Sequence, residues 1–238
     1  MTKIAVIPVR SGSKRLPKKN YKSFNSRNIA QIARDKCLAA GIFDKIIISS
    51  DDPFFEELVN CDKVEFLLRN ENLAGDNATT DKVVDFFFEE LPSCESILWV
   101  NSVSPLQSIQ DIKNCGLRLN DHDVDCVMAI NTLYQHCCIG NEPLNFNPNN
   151  PFEKTQDLVP VQRYIYSCMG WKKDTYIKHR KRGFKGLFPG RMALVEASIL
   201  AGMLIKYEKD FVLCSKIEEA MEFVPIEENT ASIITTHH

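Results

Sequence analysis

A cluster of basic residues directly follows the first apolar segment of the chain. The loop from Arg10 to Asn20 reads RSGSKRLPKKN. Its cationic side chains are Arg10, Lys14, Arg15, Lys18 and Lys19. The short Ser-Gly-Ser turn within it is flexible, so its backbone N–H groups can approach an anion closely. Cations and accessible amides together are suited to binding phosphate groups, although a charged loop that is only solvated has the same composition.

The loop matches neither of the two common glycine-rich phosphate motifs. A Walker loop requires G-x-x-x-x-G-K-[ST], and the dinucleotide-binding folds use G-x-G-x-x-G. Residues 10–20 contain Gly12 as their only glycine. If this loop binds phosphate, it therefore belongs to another type of phosphate-binding loop.

The elements around the loop alternate between strand and helix patterns. Lys3 to Val9 is apolar and β-branched, which is typical of a strand buried on both faces of a parallel sheet. From Asn28 to Ala40 apolar residues recur at helical spacing, and Gly41 follows as a stop signal. Further predicted strands are Lys45 to Ser50, Val64 to Leu68, Ser96 to Asn101 and Val124 to Ile130. Further predicted helices are Pro53 to Val59, Thr79 to Leu91, Ile109 to Leu119 and Glu208 to Met221.

This alternation predicts an α/β fold with a doubly wound, mainly parallel sheet and helices on both faces. In such sheets ligands bind beyond the carboxyl ends of the strands, which is where the basic loop lies. The pattern is interrupted between residues 131 and 192, where Asn141 to Pro151 is rich in Asn and Pro. We expect one domain over residues 1–238, with 131–192 as a small excursion that returns by Met192 to Glu196 and Met203 to Lys206.

The composition is that of a globular protein. Of the 238 residues, 44% are hydrophobic and 25% charged. No apolar run approaches the roughly 18 residues of a membrane span, and no signal-peptide pattern occurs, so we expect a cytoplasmic protein without membrane contact. The nine cysteines show neither paired C-x-x-C units nor a secreted disulfide pattern, which favours reduced thiols. A net charge of −2 gives no general attraction to nucleic acid.

Four segments, in order along the chain, resemble the CMP-sugar synthetases, the family of acylneuraminate, pseudaminate and related cytidylyltransferases. Val9 to Asn20 is similar to the family signature A-R-x-x-S-K-x-[LI]-x-x-K-N. Phe43 to Asp51 resembles the family's second strand, and Leu68 to Thr80 resembles its L-R-P-x-x-L-A-x-D-x-[AS]-[ST] segment. Asn101 to Gln107 resembles Q-P-T-S-P-L-R. The order of the four makes the resemblance specific.

The resemblance implies transfer of CMP from CTP to the anomeric hydroxyl of an acidic keto-sugar, with release of pyrophosphate. Attack on the α-phosphorus builds negative charge on phosphoryl oxygens, which nearby cations stabilise. The implied catalytic residues are Arg10, Lys14 and Lys19. The implied nucleotide-binding residues are Ser11, Gly12, Ser13, Asn20, Arg69, Asp76, Asn101 and Ser104. Family members pair through the excursion, so a homodimer is implied.

Several alternatives stay open at this point. Arg69 is equally consistent with a surface ion pair to Glu65 or Glu71, and Asp76 with a cap on the helix that begins near Thr79. The whole chain is also consistent with a nucleotidyltransferase that uses another acceptor or another base. A CTP-binding protein that has lost its activity is the third possibility.

The acidic pair D-[IV]-D, with which the family binds Mg²⁺, is missing from this chain. Aligning Glu208 to Phe211 with the family's E-x-D-[FL] places Leu204 and Lys206 at the two acidic positions. We expect Mg²⁺ as the cofactor, but the sequence leaves its ligands undetermined. Lys206 is one candidate to replace a metal charge with its ammonium group. The candidate carboxylates are Asp51, Asp52, Asp76 and, in a shifted alignment, Glu196.

The acceptor site falls in the part of the chain that departs most from the family. Tyr164 to Trp171 lacks the N-G or D-A-G pattern that family members place by the sugar, whereas Thr155 to Leu158 resembles pseudaminate members. The candidate acceptor-binding residues are Gln107, Gln156, Arg163 and Lys206. Further cations considered for a sugar carboxylate are Lys172, Lys173 and Arg180.

A second basic run covers residues 178–191, with Phe184 and Phe188 interleaved. Basic residues with aromatic side chains between them are one pattern of RNA binding. No nucleic-acid motif frames the run, so we favour a solvated loop, or one that closes over an acidic sugar, and expect no nucleic-acid partner.

Overall fold

A computed structural model describes residues 2–75 and 77–223, apart from the side chains of residues 222 and 223. Seven strands form one sheet in the order β3-β2-β1-β4-β8-β5-β9, and β6 and β7 form a separate hairpin. The strands are β1 Thr2–Pro8, β2 Lys45–Ser50, β3 Val64–Leu68, β4 Cys94–Val100, β5 Cys126–Leu133, β6 Cys138–Ile139, β7 Glu142–Pro143, β8 Val161–Lys172 and β9 Met192–Glu196. The α-helices are α1 Ile29–Ala40, α2 Thr80–Glu90, α3 Ile109–Asn120, α4 Lys173–Lys181 and α5 Glu208–Phe223.

The predicted α/β fold with a mainly parallel sheet is confirmed. Strand β1 pairs in parallel with β2 and β4, β2 with β3, and β5 with β9. The predicted strands Lys45 to Ser50 and Val64 to Leu68 coincide with β2 and β3. These strands are short apolar runs, which suit a sheet that is covered on both faces. The predicted short helix after β2 is present as a 3-10 helix, Pro53–Leu58.

Strand β8 is the main departure from the prediction. The range 131–192 was expected to leave the sheet, but Val161–Lys172 lies within it, antiparallel to both β4 and β5. Its second half, Cys168–Trp171, is buried, whereas Gln162 and Arg163 are exposed. A strand that begins polar and ends fully buried shows neither clean alternation nor a uniform apolar run, so periodicity does not reveal it. Residues 134–160, which we call the arm, leave the sheet, and so do residues 173–191, which contain α4.

The segment after β9 also differs from the prediction. Met203 to Lys206 does not join the sheet, but follows a 3-10 helix, Ile199–Gly202, as a loop. The backbone N–H of Ile205 donates to the carbonyl of Val103 at 2.8 Å. This hydrogen bond holds the loop against the chain just beyond the end of β4.

Helices cover both faces of the sheet, as a doubly wound fold requires. Buried residues of α1 and α3 form one core with the sheet, and those of α2 and α4 form a second core on the other face. A third cluster joins α5 to α1 and to the basic loop through residues that include Leu16 and Phe24. No helix within residues 2–75 and 77–223 combines the length and apolar character needed to cross a membrane.

A buried carboxylate fixes the start of α3. Asp111 is 6% exposed and accepts hydrogen bonds from the backbone N–H groups of Ser108 (2.7 Å) and Ser198 (2.8 Å). It also accepts from the hydroxyl of Ser198 at 2.7 Å. Asp111 therefore completes a capping box and ties α3 to the turn that follows β9.

Replacing Asp111 with alanine should lower the free energy of unfolding by about 2 to 4 kcal/mol, because buried donors lose a charged acceptor. Urea denaturation measures this change. The matched control is Gln110→Ala, in the same turn of α3 but with an exposed side chain, which should stay within about 0.5 kcal/mol of the wild type. Equal stability of the two variants would contradict the role of Asp111.

Candidate functional site

A cavity of about 230 Å³ lies at the carboxyl end of the parallel strands, between the basic loop and the start of α2. Of the predicted site residues, it brings together Arg10, Gly12, Lys19, Asn20, Arg69 and Asn101. The remaining lining residues are Pro8, Leu73, Ala74, Gly75, Ala78, Thr80, Val83, Trp99, Ser102 and Val103. The basic loop and the ends of β3 and β4 thus meet at one site, as the parallel topology requires.

The basic loop is anchored to the end of β2 by Asp51. One carboxylate oxygen of Asp51 accepts from the backbone N–H of Ser11 at 2.8 Å, and the other accepts from its hydroxyl. Ser11 is therefore an anchor of the loop in this structure. Next to it, Gly12 lines the cavity, and no described atom lies within 4 Å of the position that a Cβ would take. The loop leaves open space beside Gly12.

Arg10 and Asn20 bring the two ends of the loop together. The side-chain amide of Asn20 donates to the carbonyl of Arg10 at 2.8 Å, and the Arg10 guanidinium lies 3.5 Å from the carbonyl of Ala74. Asn20 is 4% exposed, and its Oδ1 has no hydrogen-bond partner among the described residues. Because buried polar atoms are normally hydrogen-bonded, this acceptor is available to a ligand. Ser13 and Lys14 follow on the outer part of the loop, where Lys14 is exposed.

Lys19 is a partly buried cation at the rim of the cavity. Its Nζ donates to the carbonyl of Ile205 at 3.1 Å, which joins the basic loop to the loop after β9. Burial, together with the smaller effects of the neighbouring charges of Arg10 and Arg15, lowers the pKa of Lys19 to about 8. The pKa falls because burial and like charges both disfavour the ammonium form. An anion bound nearby would oppose both effects.

Arg69 is a buried cation that faces the cavity. It is 4% exposed, and its Nε has no hydrogen-bond partner among the described residues. Burial lowers its pKa, the Asp51 carboxylate opposes this shift, and Arg10 adds to it. The alternative of a surface ion pair does not fit, because Arg69 is buried and Glu65 pairs with Lys45 at 2.5 Å.

Asn101 and Trp99 come from the end of β4 and line the same side of the cavity. The Asn101 amide donates to the carbonyl of Tyr166 at 3.3 Å, and its oxygen accepts from the N–H of Val103 at 3.3 Å. The indole nitrogen of Trp99 is buried and has no partner among the described residues. Side chains two residues apart on a strand point to the same face. Trp99 and Asn101 therefore present polar groups to the cavity side by side, where a planar ligand group could meet both.

The structure does not support binding roles for Ser104 and Gln107, because both are buried away from the cavity. Ser104 is fully buried, and its hydroxyl donates to the carbonyl of Ala201 at 2.6 Å. The Gln107 amide donates to the carbonyl of Asn101 at 3.1 Å, and its oxygen accepts from Cys168 at 3.2 Å. Both residues fix the turn after β4. Asp76 lies outside the described residues.

The candidate acceptor-binding residues are spread widely. Lys206 is exposed beside Ile205, close to the cavity, whereas Gln156 lies exposed in the arm. Arg163, on β8, donates to Asn131 at 2.9 Å. Lys172 and Lys173 lie at the opposite end of the sheet, because Lys172 pairs with Ser96 near the start of β4. Arg180 binds Asp81 and Asp85 of α2. The two lysines therefore lie away from the cavity, and the charge of Arg180 is already paired with two carboxylates.

The described residues do not fit a Mg²⁺ ion held by protein carboxylates. The candidate Asp51 is bound to Ser11, and Asp52 accepts from the Tyr21 hydroxyl at 2.5 Å, a bond that lowers the Asp52 pKa. Glu196 accepts from the backbone of Thr132 at 3.0 Å. Within the part of the chain that the structure describes, no three His, Cys, Asp or Glu side chains group as metal ligands. Leu204 and Lys206 cannot replace them as oxygen ligands.

Sequence reasoning missed two groups of site residues. Asp51 was considered only as a metal ligand, but it anchors the basic loop. Trp99, Thr80 and Val83 also line the cavity without having been predicted. The signal for Trp99 was its position two residues before Asn101 on a strand, which places both side chains on one face.

Known proteins resemble this chain in sequence and in fold. A family model described as cytidylyltransferase matches residues 4–165. N-acylneuraminate cytidylyltransferase of Streptococcus agalactiae serotype V is 28% identical over 188 residues, which is 76% of this chain and 46% of that protein. Pseudaminic acid cytidylyltransferase of Campylobacter jejuni is 35% identical over 102 residues, 41% of this chain and 42% of that protein. The chain therefore spans less than half the length of these curated relatives.

Solved structures show the same fold. The CTP complex of CMP:2-keto-3-deoxy-manno-octonic acid synthetase has a TM-score of 0.69 at 12% identity, covering 92% of this chain and 99% of that chain. The 4-diphosphocytidyl-2C-methyl-D-erythritol synthase of Anaerococcus prevotii has a TM-score of 0.63 at 14% identity, covering 92% and 98%. At such identities the structures establish the fold alone. Because the family model covers more than half of the sequence, the chain belongs to the cytidylyltransferase family.

Proposed function

We propose that this chain transfers CMP from CTP to the hydroxyl of an acidic keto-sugar and releases pyrophosphate. The observation that carries the proposal is the cavity at the ends of β1, β3 and β4, where the buried guanidinium of Arg69 faces the cations of the basic loop. Buried cations are costly unless an anion compensates them, and a triphosphate is such an anion. Membership of the family makes CTP the preferred nucleotide.

The proposed reaction assigns the cations to the phosphates. The acceptor hydroxyl oxygen attacks the α-phosphorus, the bond from this phosphorus to the pyrophosphate oxygen breaks, and the hydroxyl proton passes to solvent. Arg10, Lys14 and Lys19 stabilise the charge that develops on the phosphoryl oxygens. Arg69 and Asn20 hold the nucleotide through buried atoms that have no hydrogen-bond partner within residues 2–75 and 77–223. Asn101 and Trp99 lie where the base enters the cavity.

Mg²⁺ remains the proposed cofactor, because a triphosphate in water binds this ion through its own oxygens. The described carboxylates do not form a site for it, so we assign it no protein ligand and no step. Lys206 lies beside Ile205, whose carbonyl is bound by Lys19. Its ammonium group is suited to compensate charge on the triphosphate or on the acceptor carboxylate.

The names of the relatives support a nonulosonate-like acid as the acceptor. A carboxylate on the acceptor would meet Lys206 on the loop after β9, and Arg163 is the next cation on that side. Gln156 would reach the site only from the arm. We further propose that the reaction takes place in the cytoplasm, since the nine cysteines are free thiols in the structure.

The first test is pyrophosphate release from CTP and Mg²⁺ with a panel of three acids: N-acetylneuraminate, pseudaminate and 2-keto-3-deoxy-manno-octonate. Release should require CTP rather than ATP, GTP or UTP. The variant Lys14→Ala should lower kcat/KM by about a hundredfold, because it removes a cation from the developing charge. A parallel assay with EDTA in place of Mg²⁺ measures how far the reaction depends on the ion.

The matched control is Lys185→Ala, an exposed lysine in the second basic run and outside the cavity. It should turn over like the wild type. Tight CTP binding without release for any acid would favour a binding protein that has lost activity. Release with another triphosphate would contradict CTP as the donor.

The pKa of Lys19 predicts a pH dependence of nucleotide binding. With a lowered pKa of about 8, the side chain is a cation at pH 7 and loses its proton as the pH rises through this value. The dissociation constant for CTP should therefore increase between pH 7 and 9, by about tenfold for loss of one phosphate contact. Isothermal titration calorimetry measures it.

The matched variant is Lys19→Met, which keeps the length of the side chain without the charge. It should bind CTP weakly at pH 7 and show little further loss up to pH 9. A variant with the same pH profile as the wild type would assign the dependence to another group.

We also propose that two copies pair through the arm. Large apolar side chains stay exposed there, including Ile139 (69% exposed), Phe152 (82%) and Val159 (72%). Exposed apolar patches of this kind mark interaction surfaces, and a second copy of the chain would cover both arms at once.

The double variant Ile139→Asp/Val159→Asp should shift the protein from dimer to monomer in sedimentation velocity, because it places charges in an apolar interface. Leu117→Asp, on the exposed face of α3, is the control and should remain dimeric. A wild-type chain that sediments as a monomer at micromolar concentration would contradict the proposal.

A further inference from the structure

The first turn of α2 forms part of the cavity wall. Thr80 and Val83 line the cavity. Behind them the apolar side of the helix packs on the sheet through Val84 and Phe87, which are fully buried. Hydrophobic burial is non-directional, so it does not by itself fix the direction of the helix or the exact place of its first turn. Another contact must do so if the cavity is to keep its shape.

A single guanidinium from α4 holds this turn by directional bonds. The Nε and Nη2 of Arg180 donate to the two carboxylate oxygens of Asp85 at 3.0 and 2.5 Å, and Nη2 lies 3.3 Å from a carboxylate oxygen of Asp81. The two aspartates are four residues apart and share one face of the helix, so one guanidinium reaches both. Such a bidentate pair restricts both distance and angle. The Tyr176 hydroxyl, also on α4, donates to the backbone carbonyl of Asp81 at 3.1 Å.

The position of Arg180 at the end of α4 does not by itself explain these contacts. The last turn of α4 contains four basic residues, Lys178, His179, Arg180 and Lys181. The helix dipole favours cations there whatever the direction of their side chains. Within residues 2–75 and 77–223, Arg180 is the only one of the four that forms an ion pair. Lys178 and Lys181 are exposed, whereas the Arg180 side chain is 23% exposed. The structure thus separates Arg180 from the rest of the second basic run.

We propose that Arg180 is a positioning residue for the nucleotide. It does not line the cavity, but its partner Asp81 directly follows Thr80 in the cavity wall. By holding the first turn of α2, it fixes the distance between that turn and the basic loop. A misplacement of about 1 Å that starts far from the chemistry can cost on the order of a hundredfold. The assignment rests on the proposed function and deepens it, because it concerns how the site is shaped for CTP.

The test compares Arg180→Met and Arg180→Lys with the wild type by isothermal titration calorimetry of CTP. Methionine removes the charge and the donors, and it should raise the Kd for CTP by about tenfold. Lysine keeps the charge without the planar guanidinium, so Arg180→Lys should raise the Kd by about threefold. In the pyrophosphate assay, the acceptor KM of Arg180→Met should stay within about twofold of the wild type, because the first turn of α2 lines the cavity assigned to CTP.

A double-mutant cycle shows whether the effect passes through α2. The variant Asp81→Asn/Asp85→Asn lacks both carboxylates that Arg180 binds. In this background the further change Arg180→Met should alter the Kd for CTP by less than about twofold, because the interaction is already lost. A tenfold rise in this background as well would mean that the guanidinium acts by another route, and the assignment would be overturned.

The matched control is Arg118→Met. Arg118 binds Asp123 at 2.9 and 3.1 Å and Asp121 at 2.7 Å, so it also joins two carboxylates. The carbonyl of Asp121 accepts from Lys172, which lies at the end of the sheet opposite the cavity. Both arginine variants should keep their thermal midpoint within about 4 °C of the wild type. Arg118→Met should bind CTP like the wild type. The same tenfold rise in both would indicate a general effect of a lost ion pair and would overturn the assignment.

The outcomes also separate the two proposals. An unchanged Kd for CTP in folded Arg180→Met overturns the assignment of Arg180 alone. If Arg180→Met does not fold, Arg180→Lys decides, and equal affinity of that variant and the wild type overturns the assignment. A wild-type chain that does not bind CTP contradicts the proposed function, and the assignment falls with it.

Discussion

The antiparallel strand β8 is the element on which the rest of the sheet depends. It lies between β4 and β5 and pairs with the inner edge of each, so neither parallel half has an open edge at the centre. The carbonyl of Tyr166 on β8 accepts from the side chain of Asn101 at the cavity, and Cys168 on the same strand donates to Gln107. The same strand therefore closes the sheet and fixes the turn after β4, which means that the site cannot be separated from the fold.

The site holds several positive charges close together in a partly buried cavity. Arg10, Lys19 and Arg69 converge on one cavity, and burial lowers the pKa of both Lys19 and Arg69. The fold tolerates this arrangement because Asp51 lies near Arg69 and carbonyls accept from Arg10 and Lys19. An incoming polyanion then meets cations that are already oriented, so little reorganisation accompanies binding.

The sequence predicted the parts of the protein that depend on local patterns. Strands β2 and β3 are apolar runs, and the basic loop follows β1, so topology alone brought Arg10 to the carboxyl edge. Strand β8 escaped prediction because its pairing is with distant strands and its first residues are polar. The roles of Ser104 and Gln107 could not be decided from the sequence, because a polar side chain in a turn hydrogen-bonds either a ligand or neighbouring groups of the fold. Only the positions of Ala201 and Cys168 decide between the two.

The two tryptophans of the chain occupy contrasting environments. Trp171 is fully buried, and its indole N–H donates to the carbonyl of Leu187 at 2.6 Å. Trp99 lines the cavity, and its indole nitrogen has no hydrogen-bond partner in the part of the chain that the structure describes. A base that stacks on an indole alters its emission, whereas an indole enclosed by protein is unaffected. On the proposed assignment of the site, Trp99 would report its occupancy by fluorescence, with Trp171 as an internal reference.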